Sequence, residues 1–337
     1  VAVYTPLTAA QLSALIGEYD VGQLISAKGI AEGVSNSNWL IETSGRDGAG
    51  ARFILTMYEA RVEPADLPFF LGLLDHLADR GSPVPRTIHD RQGKAWRMLD
   101  HAGEAKAVAL IEFLPGVSVD EPSAAQAHSV GQALAGIHLD SADFAGRRGN
   151  AMGLAQWHKL FAGCGEEGLR SIDADLPALV ARELAALSAT WPEHLPHSVI
   201  HADLFPDNVL FLGDEVAGLI DFYFACSDIA AYDLAVTHAA WCFTRDGSFR
   251  ADIAGALLAG YEERRALSAA EWEALPLLAQ GAAMRFLATR AYDWLHTPAD
   301  AMVTRKDPLA FARRLSFYTT AGASAFLRPA VSAKAPA

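Results

Sequence analysis

The spacing of apolar residues changes character part-way along the chain. Thr8-Ala-Ala-Gln11 has the form of a capping box, and Leu12, Leu15, Ile16 and Tyr19 follow at helical spacing, predicting an opening helix. Trp39 to Thr43 and Arg52 to Tyr58 are rich in strand-favouring residues and are separated by the turn composition of Ser44 to Gly50, which predicts an antiparallel hairpin. Leu67, Phe70, Leu71, Leu74 and Leu77 make one helical face that ends near Gly81 before Ser82-Pro-Val-Pro85. Two further strands, Ala95–Leu99 and Val108–Phe113, flank the polar stretch from His101 to Lys106, and Leu114-Pro-Gly116 breaks the second.

Beyond Gly116 the period becomes helical. Ala127, Val130, Leu134 and Ile137 lie three and four apart, as do Leu176, Val180, Leu184 and Leu187. Ser268-Ala-Ala-Glu271 is another capping box, opening a long segment through Trp272, Phe286 and Trp294 with Pro276 near its start. The expected class is therefore α+β: a smaller sheet-based lobe over 1–113, a larger mainly helical lobe over 114–328, and a disordered tail over 329–337.

Charge narrows the partners. Forty acidic against 27 basic residues give the 337-residue chain a formal charge of −13, so a nucleic-acid backbone would be repelled. Cys164, Cys226 and Cys242 are too few and too scattered for a disulfide framework, which fits a reducing compartment. The first residues, Val1 to Pro6, carry neither a basic nor an apolar targeting region, and no stretch offers the roughly 18 uninterrupted apolar residues of a membrane span. A cytoplasmic location without membrane attachment is expected. The pattern is silent on oligomeric state.

The densest polar cluster in apolar surroundings is Val199 to Leu212, containing His201, Asp203 and Asn208, followed by Val216 to Phe222 with Asp221. Two short apolar strands each deliver acid or amide groups at an end. Phosphoryl transfer needs a carboxylate to accept the proton of an attacking hydroxyl, and hard oxygen ligands for a magnesium ion that neutralises phosphate charge. Asp203, Asn208 and Asp221 supply that set. The bland alternative is that His201 and Asp203 hydrogen-bond a turn while Asp221 merely ends a strand, although clustered acids without partners or metal would be costly.

The H-x-D-x-x-x-x-N pattern, an apolar strand, a turn and Ile220-Asp221-Phe222 resemble the catalytic and metal-binding segments of the protein-kinase-like superfamily. The closer resemblance is to its aminoglycoside phosphotransferase and choline kinase branch. It implies a bilobal kinase-like fold, Asp203 as catalytic base, Asn208 and Asp221 as magnesium ligands, His201 as a scaffold residue and Asp233 as a stabiliser of the helical lobe. Gly33, Ser35 and Asn36 fall where that family places its loop over the nucleotide phosphates, and Glu112 and Leu114 at the hinge that meets adenine. Thr56 stands where most such kinases carry a phosphate-pairing lysine; the chain has six lysines and none in that strand. Arg61 or magnesium alone is the expected replacement.

Leu55-Thr-Met-Tyr-Glu59, Asp66–Leu71, Arg147–Asn150, Ile220–Asp228, Tyr232–Ala235 and Ala283–Phe286 with Arg290 resemble more specifically the homoserine kinases that share this fold. That resemblance, from about residue 4 to 325, implies ATP- and magnesium-dependent phosphorylation of the side-chain hydroxyl of L-homoserine, on the way to threonine. For the substrate carboxylate the candidates are Arg285 and Arg148; Asp228 is the candidate for the ammonium group, with Tyr223 and Trp241 as walls. Arg285 could instead pair with Asp293, and His238 reads as core. The alternatives are a kinase for choline, an aminoglycoside or a sugar, and an inactive nucleotide-binding module.

Overall fold

The computed structural model describes residues 6–30, 36–59, 62–101, 103–297 and 305–327. By internal contacts the chain divides into two compact units, Val1–Pro115 with Phe144–Gly146, and Gly116–Asp143 with Arg147–Ala337. The tail expected over 329–337 and the glycine-containing loop over 31–35, with Gly33 and Ser35, lie outside the described residues, as does Arg61.

In the first unit α1 (Ala9–Ile16) starts on the expected capping box, in which Thr8 accepts from the Gln11 amide and Gln11 accepts from the Thr8 amide. There follow β1 (Leu24–Ile30), β2 (Asn36–Thr43), β3 (Ala51–Tyr58), α2 (Leu67–Asp79), β4 (Thr87–Ile88), β5 (Arg97–His101) and β6 (Glu104–Glu112). The antiparallel sheet runs β1-β2-β3-β6-β4, with β5 also on β6. Alternation sends Trp39, Ile41, Leu55, Met57, Val108 and Leu110 to one face, where they bury against Leu12, Leu15, Ile16 and Tyr19. Each such burial contributes about 1.5–3 kcal/mol. The polar stretch His101 to Lys106, expected to separate two strands, is mostly strand itself and closes a tight β5–β6 hairpin.

In the second unit come α3 (Ala124–Asp140), α4 (Leu154–Ile172), α5 (Leu176–Thr190), β7 (His197–Ile200), β8 (Val209–Leu212), β9 (Glu215–Leu219), β10 (Cys226–Ile229), α6 (Ala230–Trp241), α7 (Ala251–Arg264), α8 (Ala269–His296) and α9 (Leu309–Ala321). β8 and β9 form one antiparallel ribbon and β7 and β10 another. Every residue of α6 is buried, Asp233, Thr237 and His238 included, so it runs through the middle of the unit. His238 on it is fully buried, with Nδ1 2.7 Å from the Tyr318 hydroxyl, and is core as read. Ser268 caps α8 through the expected box with Glu271, and Pro276 is accommodated inside that helix. Among the described residues no helix is long and apolar enough to cross a membrane. All three cysteines are buried and free.

Candidate active site

The site grows out of the connection from β7 to β10. After Ile200 the backbone turns through Ala202, which adopts the left-handed conformation at φ 63° although it carries a side chain. Such a residue costs about 1–2 kcal/mol and persists only when held. Asp233, in the first turn of α6 and fully buried, holds it: one carboxylate oxygen accepts the Ala202 amide at 2.7 Å and the other accepts the His201 amide at 2.7 Å. The second oxygen also meets His138 Nε2 at 3.0 Å, and His138 Nδ1 meets the Tyr261 hydroxyl at 2.7 Å. Burial alone would raise the Asp233 pKa, but His138 and the loop amides hold it below the usual carboxylate value.

His201 has no exposure and ties the two halves of the site together. Its Nε2 donates to the Ile220 carbonyl at 2.9 Å, its Nδ1 accepts from the Asp203 amide at 3.3 Å, and its ring lies 4.5 Å from that of Phe222. These bonds assign the neutral tautomer, and burial lowers the pKa of the ring. A backbone bond from Ile220 to the Asn208 carbonyl at 3.0 Å brings the end of β9 beside the short helical turn Pro206–Asn208. Asp203, Asn208 and Asp221 are thereby gathered from two segments.

Asp203 is about one-fifth exposed at its side chain. Burial pushes its pKa up to about 7; the Arg285 guanidinium, 3.7 Å away, pulls it down, and Asp221 adds to the rise. The Asn208 side-chain nitrogen donates to the Asp203 carbonyl at 2.8 Å, so the amide orientation is fixed by the loop it serves. Asp221 is a second non-glycine residue in the left-handed region, at φ 66°. It meets solvent, yet the packing around its carboxyl raises its pKa to about 6, and Asp207 raises it further. Among the described residues no hydrogen bond or salt bridge reaches that carboxylate, and the charge that favours its ionised form is that of Lys306. The Asn208 amide oxygen and the Asp221 carboxylate, carried on segments that the backbone bond from Ile220 to Asn208 joins, are of the donor type suited to a divalent cation of the magnesium kind.

The phosphotransferase enzyme family model matches residues 26–267. Over 317 residues, 94% of this chain and 96% of the relative, the sequence is 51% identical to the homoserine kinase of Azorhizobium caulinodans. It is 50% identical to that of Acidiphilium cryptum over 96% of this chain and 98% of the other. The chain belongs to the phosphotransferase enzyme family. Among solved structures it is similar to a spectinomycin phosphotransferase in complex with ADP and spectinomycin, with a TM-score of 0.70 at 14% identity over 95% of this chain and all of that one (100%). It is also similar to the choline kinase of Cryptosporidium parvum, at a TM-score of 0.59 and 13% identity over 88% of each chain. The kinase-like fold expected from the motifs is the fold observed. As a member, the chain is a phosphotransferase that draws on ATP and acts on a small molecule.

The structure relocates several expected substrate contacts. Arg285 has a side chain only 2% exposed, donates to the Ala202 carbonyl, and flanks Asp203 instead of opening toward a ligand; its pairing partner is Asp203, not Asp293. Trp241 is core as well, its indole N–H donating to the Leu204 carbonyl at 2.8 Å, so it anchors the loop from below. Arg148 donates to the Ala225 carbonyl at 3.2 Å. Asp228, half-buried on β10, accepts from the Asn150 side chain at 2.7 Å, while Tyr223 is half-buried one residue past Phe222.

In the first unit the Thr56 hydroxyl donates to the Asn38 side chain at 2.8 Å, and the Asn36 side chain accepts the Glu59 amide at 3.3 Å. Lys106 pairs with Glu59 at 2.6 Å, but strand alternation puts both on the sheet face opposite Thr56. The Glu112 amide, one of the expected adenine contacts, already donates to the Arg86 carbonyl at 2.9 Å, and the Glu112 side chain accepts the Arg86 amide at 3.1 Å. Leu114 is half-buried just beyond β6. Sequence reasoning named Arg290 only within the segments that carry the resemblance, without a role, and missed Arg314; their only further signal was basic residues within apolar helical faces of α8 and α9.

Proposed function

We propose that this chain transfers the γ-phosphoryl group of ATP to the side-chain hydroxyl of L-homoserine, giving O-phospho-L-homoserine, a step toward threonine. The observation that carries the substrate is identity of about one-half to homoserine kinases over nearly the whole chain. Chemistry at the second unit supports the reaction type. Asp203 would orient the substrate hydroxyl and take its proton as the oxygen attacks phosphorus, the role a largely buried carboxylate with a raised pKa suits. Asn208 and Asp221 would hold magnesium, which when bound supplies positive charge to the phosphate oxygens. His201 and Asp233 keep these groups in place, so that positioning and fixed electrostatics lower the barrier. Asn36 and Thr56, with Gly33 and Ser35, would serve the nucleotide, as would backbone at Leu114. Asp228, steadied by Asn150, would face the substrate ammonium group.

The test is ATP consumption with magnesium across L-homoserine, D-homoserine, L-serine, choline and an aminoglycoside, with the product read by phosphorus NMR. Turnover confined to L-homoserine is expected. Turnover with choline or an aminoglycoside instead would keep the reaction type and replace the substrate. ATP binding without turnover of any compound would favour a binding module.

A further inference from the structure

We propose that Arg290 on α8 and Arg314 on α9, gathered about the ring of Phe311, form the site that receives the carboxylate of the amino-acid substrate. The inference rests on the reading of the chain as a kinase of homoserine and goes beyond it by assigning the groups that recognise the acid.

The argument is one of unanswered charge. Both guanidinium centres lie 4.5 Å from the Phe311 ring centroid, and Arg314 lies 5.2 Å from that of Phe243. Each spends one donor on a backbone carbonyl, Arg290 on Asp307 at 3.1 Å and Arg314 on Ala239 at 2.7 Å. In both, Nε is buried without any hydrogen-bond partner. Among the described residues neither is in a salt bridge, and the side chain of Asp307 is engaged by Arg313 at 3.2 Å instead. Two neighbouring half-buried guanidiniums, each with its Nε buried and no counter-anion among the described residues, are better satisfied when an anion completes them. Burial, with Arg314 beside it, lowers the pKa of Arg290 to about 10, although Asp307, Asp203 and Asp207 act in the opposite direction.

Their surroundings point to the reacting end of the substrate. Phe311 packs on Phe286 at 5.0 Å and Phe205 at 6.2 Å, and Phe205 lies two residues past Asp203. Among the charges that act on Arg290 are Asp203 and Asp207. Arg314 also lines a cavity of about 150 Å3 with Trp241, Arg245 and Arg250. The same lining carries Asp120 and Glu121; Arg245 pairs with Asp120 at 3.0 Å and Arg250 with Asp252 at 2.7 Å, whereas Arg314 is in no salt bridge among the described residues. Arg285 also has its Nε buried without a partner, but it is answered by Asp203 at 3.7 Å. A carboxylate offers two oxygens to the planar donor forks that Arg290 and Arg314 leave open.

The test compares L-homoserine with 3-amino-1-propanol, which is homoserine without its carboxylate, in wild-type chain and in Arg290→Gln, Arg314→Gln, Arg290→Lys and Arg314→Lys. The Gln variants are expected to raise KM for L-homoserine about 10- to 100-fold, the range for hydrogen bonds to a charged group, with kcat changed far less. Their loss of kcat/KM on 3-amino-1-propanol is expected to be at least about tenfold smaller, and the Lys variants to recover part of the homoserine loss. Equal losses on both compounds would mean that the arginines only support the fold, and an unchanged KM for homoserine would also overturn the assignment. Should wild-type chain turn over neither compound, the activity reading fails separately, and calorimetric titration with L-homoserine decides the site. Binding lost in Arg290→Gln supports it; equal binding, or none to wild type, overturns it.

Discussion

Ala202 concentrates the strain of the site in one residue. Its left-handed backbone is held at the amide by Asp233 and at the carbonyl by Arg285, so the direction in which Asp203 leaves the loop is set by groups on α6 and α8. Ala202→Gly should be close to neutral in stability, because relief of about 1–2 kcal/mol of strain is offset by chain entropy and a lost buried methyl. Ala202→Val, with a branched Cβ in the same conformation, should cost more than about 2 kcal/mol and most of the turnover. Urea midpoints and kcat for the two variants check this, and similar values for both would show that the loop tolerates either backbone. At the next residue, Asp203→Asn keeps shape while removing the proton acceptor. Turnover should fall by about 10²- to 10⁴-fold with ATP binding retained. Asp221→Ala should instead lose the magnesium dependence of nucleotide binding, measured by titrating ATP with and without the metal.

At the scale of elements, the spacing of α3 and α7 governs the site from behind, since His138 on α3 meets both Asp233 and, from α7, Tyr261. The two helices approach through Gly131 and Gly260. A Cβ on Gly131 would stand 2.1 Å from the Leu257 carbonyl oxygen, and one on Gly260 would stand 2.0 Å from that of His128. Alanine normally stabilises a helix interior by about 1 kcal/mol relative to glycine, but at Gly131 the backbones would have to part, costing more than about 2 kcal/mol. Gly255, on the same α7, has nothing within 4 Å of its Cβ position. Gly255→Ala should therefore gain up to about 1 kcal/mol. Opposite signs in thermal unfolding are expected; equal signs would remove the close-approach argument.

The same contrast between local and distant causes marks what could be read from the chain. α1, β2, β3, α2 and α8 followed from apolar period and capping boxes, because their signals lie within each segment. β1 did not: most of its residues are exposed on an edge, so no alternation marks it. The pairing of β7 with β10 joins segments separated by α-free sequence whose partners no local pattern names. Within the site, Asp203, Asn208 and Asp221 were legible because the turn chemistry and two short strands keep them close in sequence. Arg285 was legible as a candidate but not in its role, since its partners Ala202 and Asp203 lie more than twenty helical turns back along the chain in sequence terms. Arg290 was legible only as part of the resemblance and Arg314 not at all, because a lone arginine on an apolar helix acquires a role only from the side chains the fold packs around it.

At the scale of the whole molecule, pH acts on two sets of groups with opposite signs. His201 and His238 are buried neutral, with pKa values lowered by burial, that of His238 to about 3. Below the unfolded value near 6.5 the unfolded chain binds more protons than the native one, so their contribution is complete above about pH 6.5 and is lost as pH falls toward the folded pKa. Asp203 and Asp221, raised to about 7 and about 6, behave the other way. Between roughly pH 4 and their folded values the native chain holds the extra proton, so their contribution is greatest at low pH and is lost as pH rises through that window. Without metal the two sets oppose each other between about pH 4 and 6.5, and stability should change little there. His238→Phe isolates one member. At pH 7.5 it should be destabilised through loss of the Tyr318 bond and imperfect packing, but on going to pH 4.5 its deficit relative to wild type should shrink by up to about 1.4 kcal/mol for each unit below 6.5. Urea unfolding of both chains at the two pH values reads the difference directly, and a deficit that stays constant would mean that His238 is not held neutral against its solution preference.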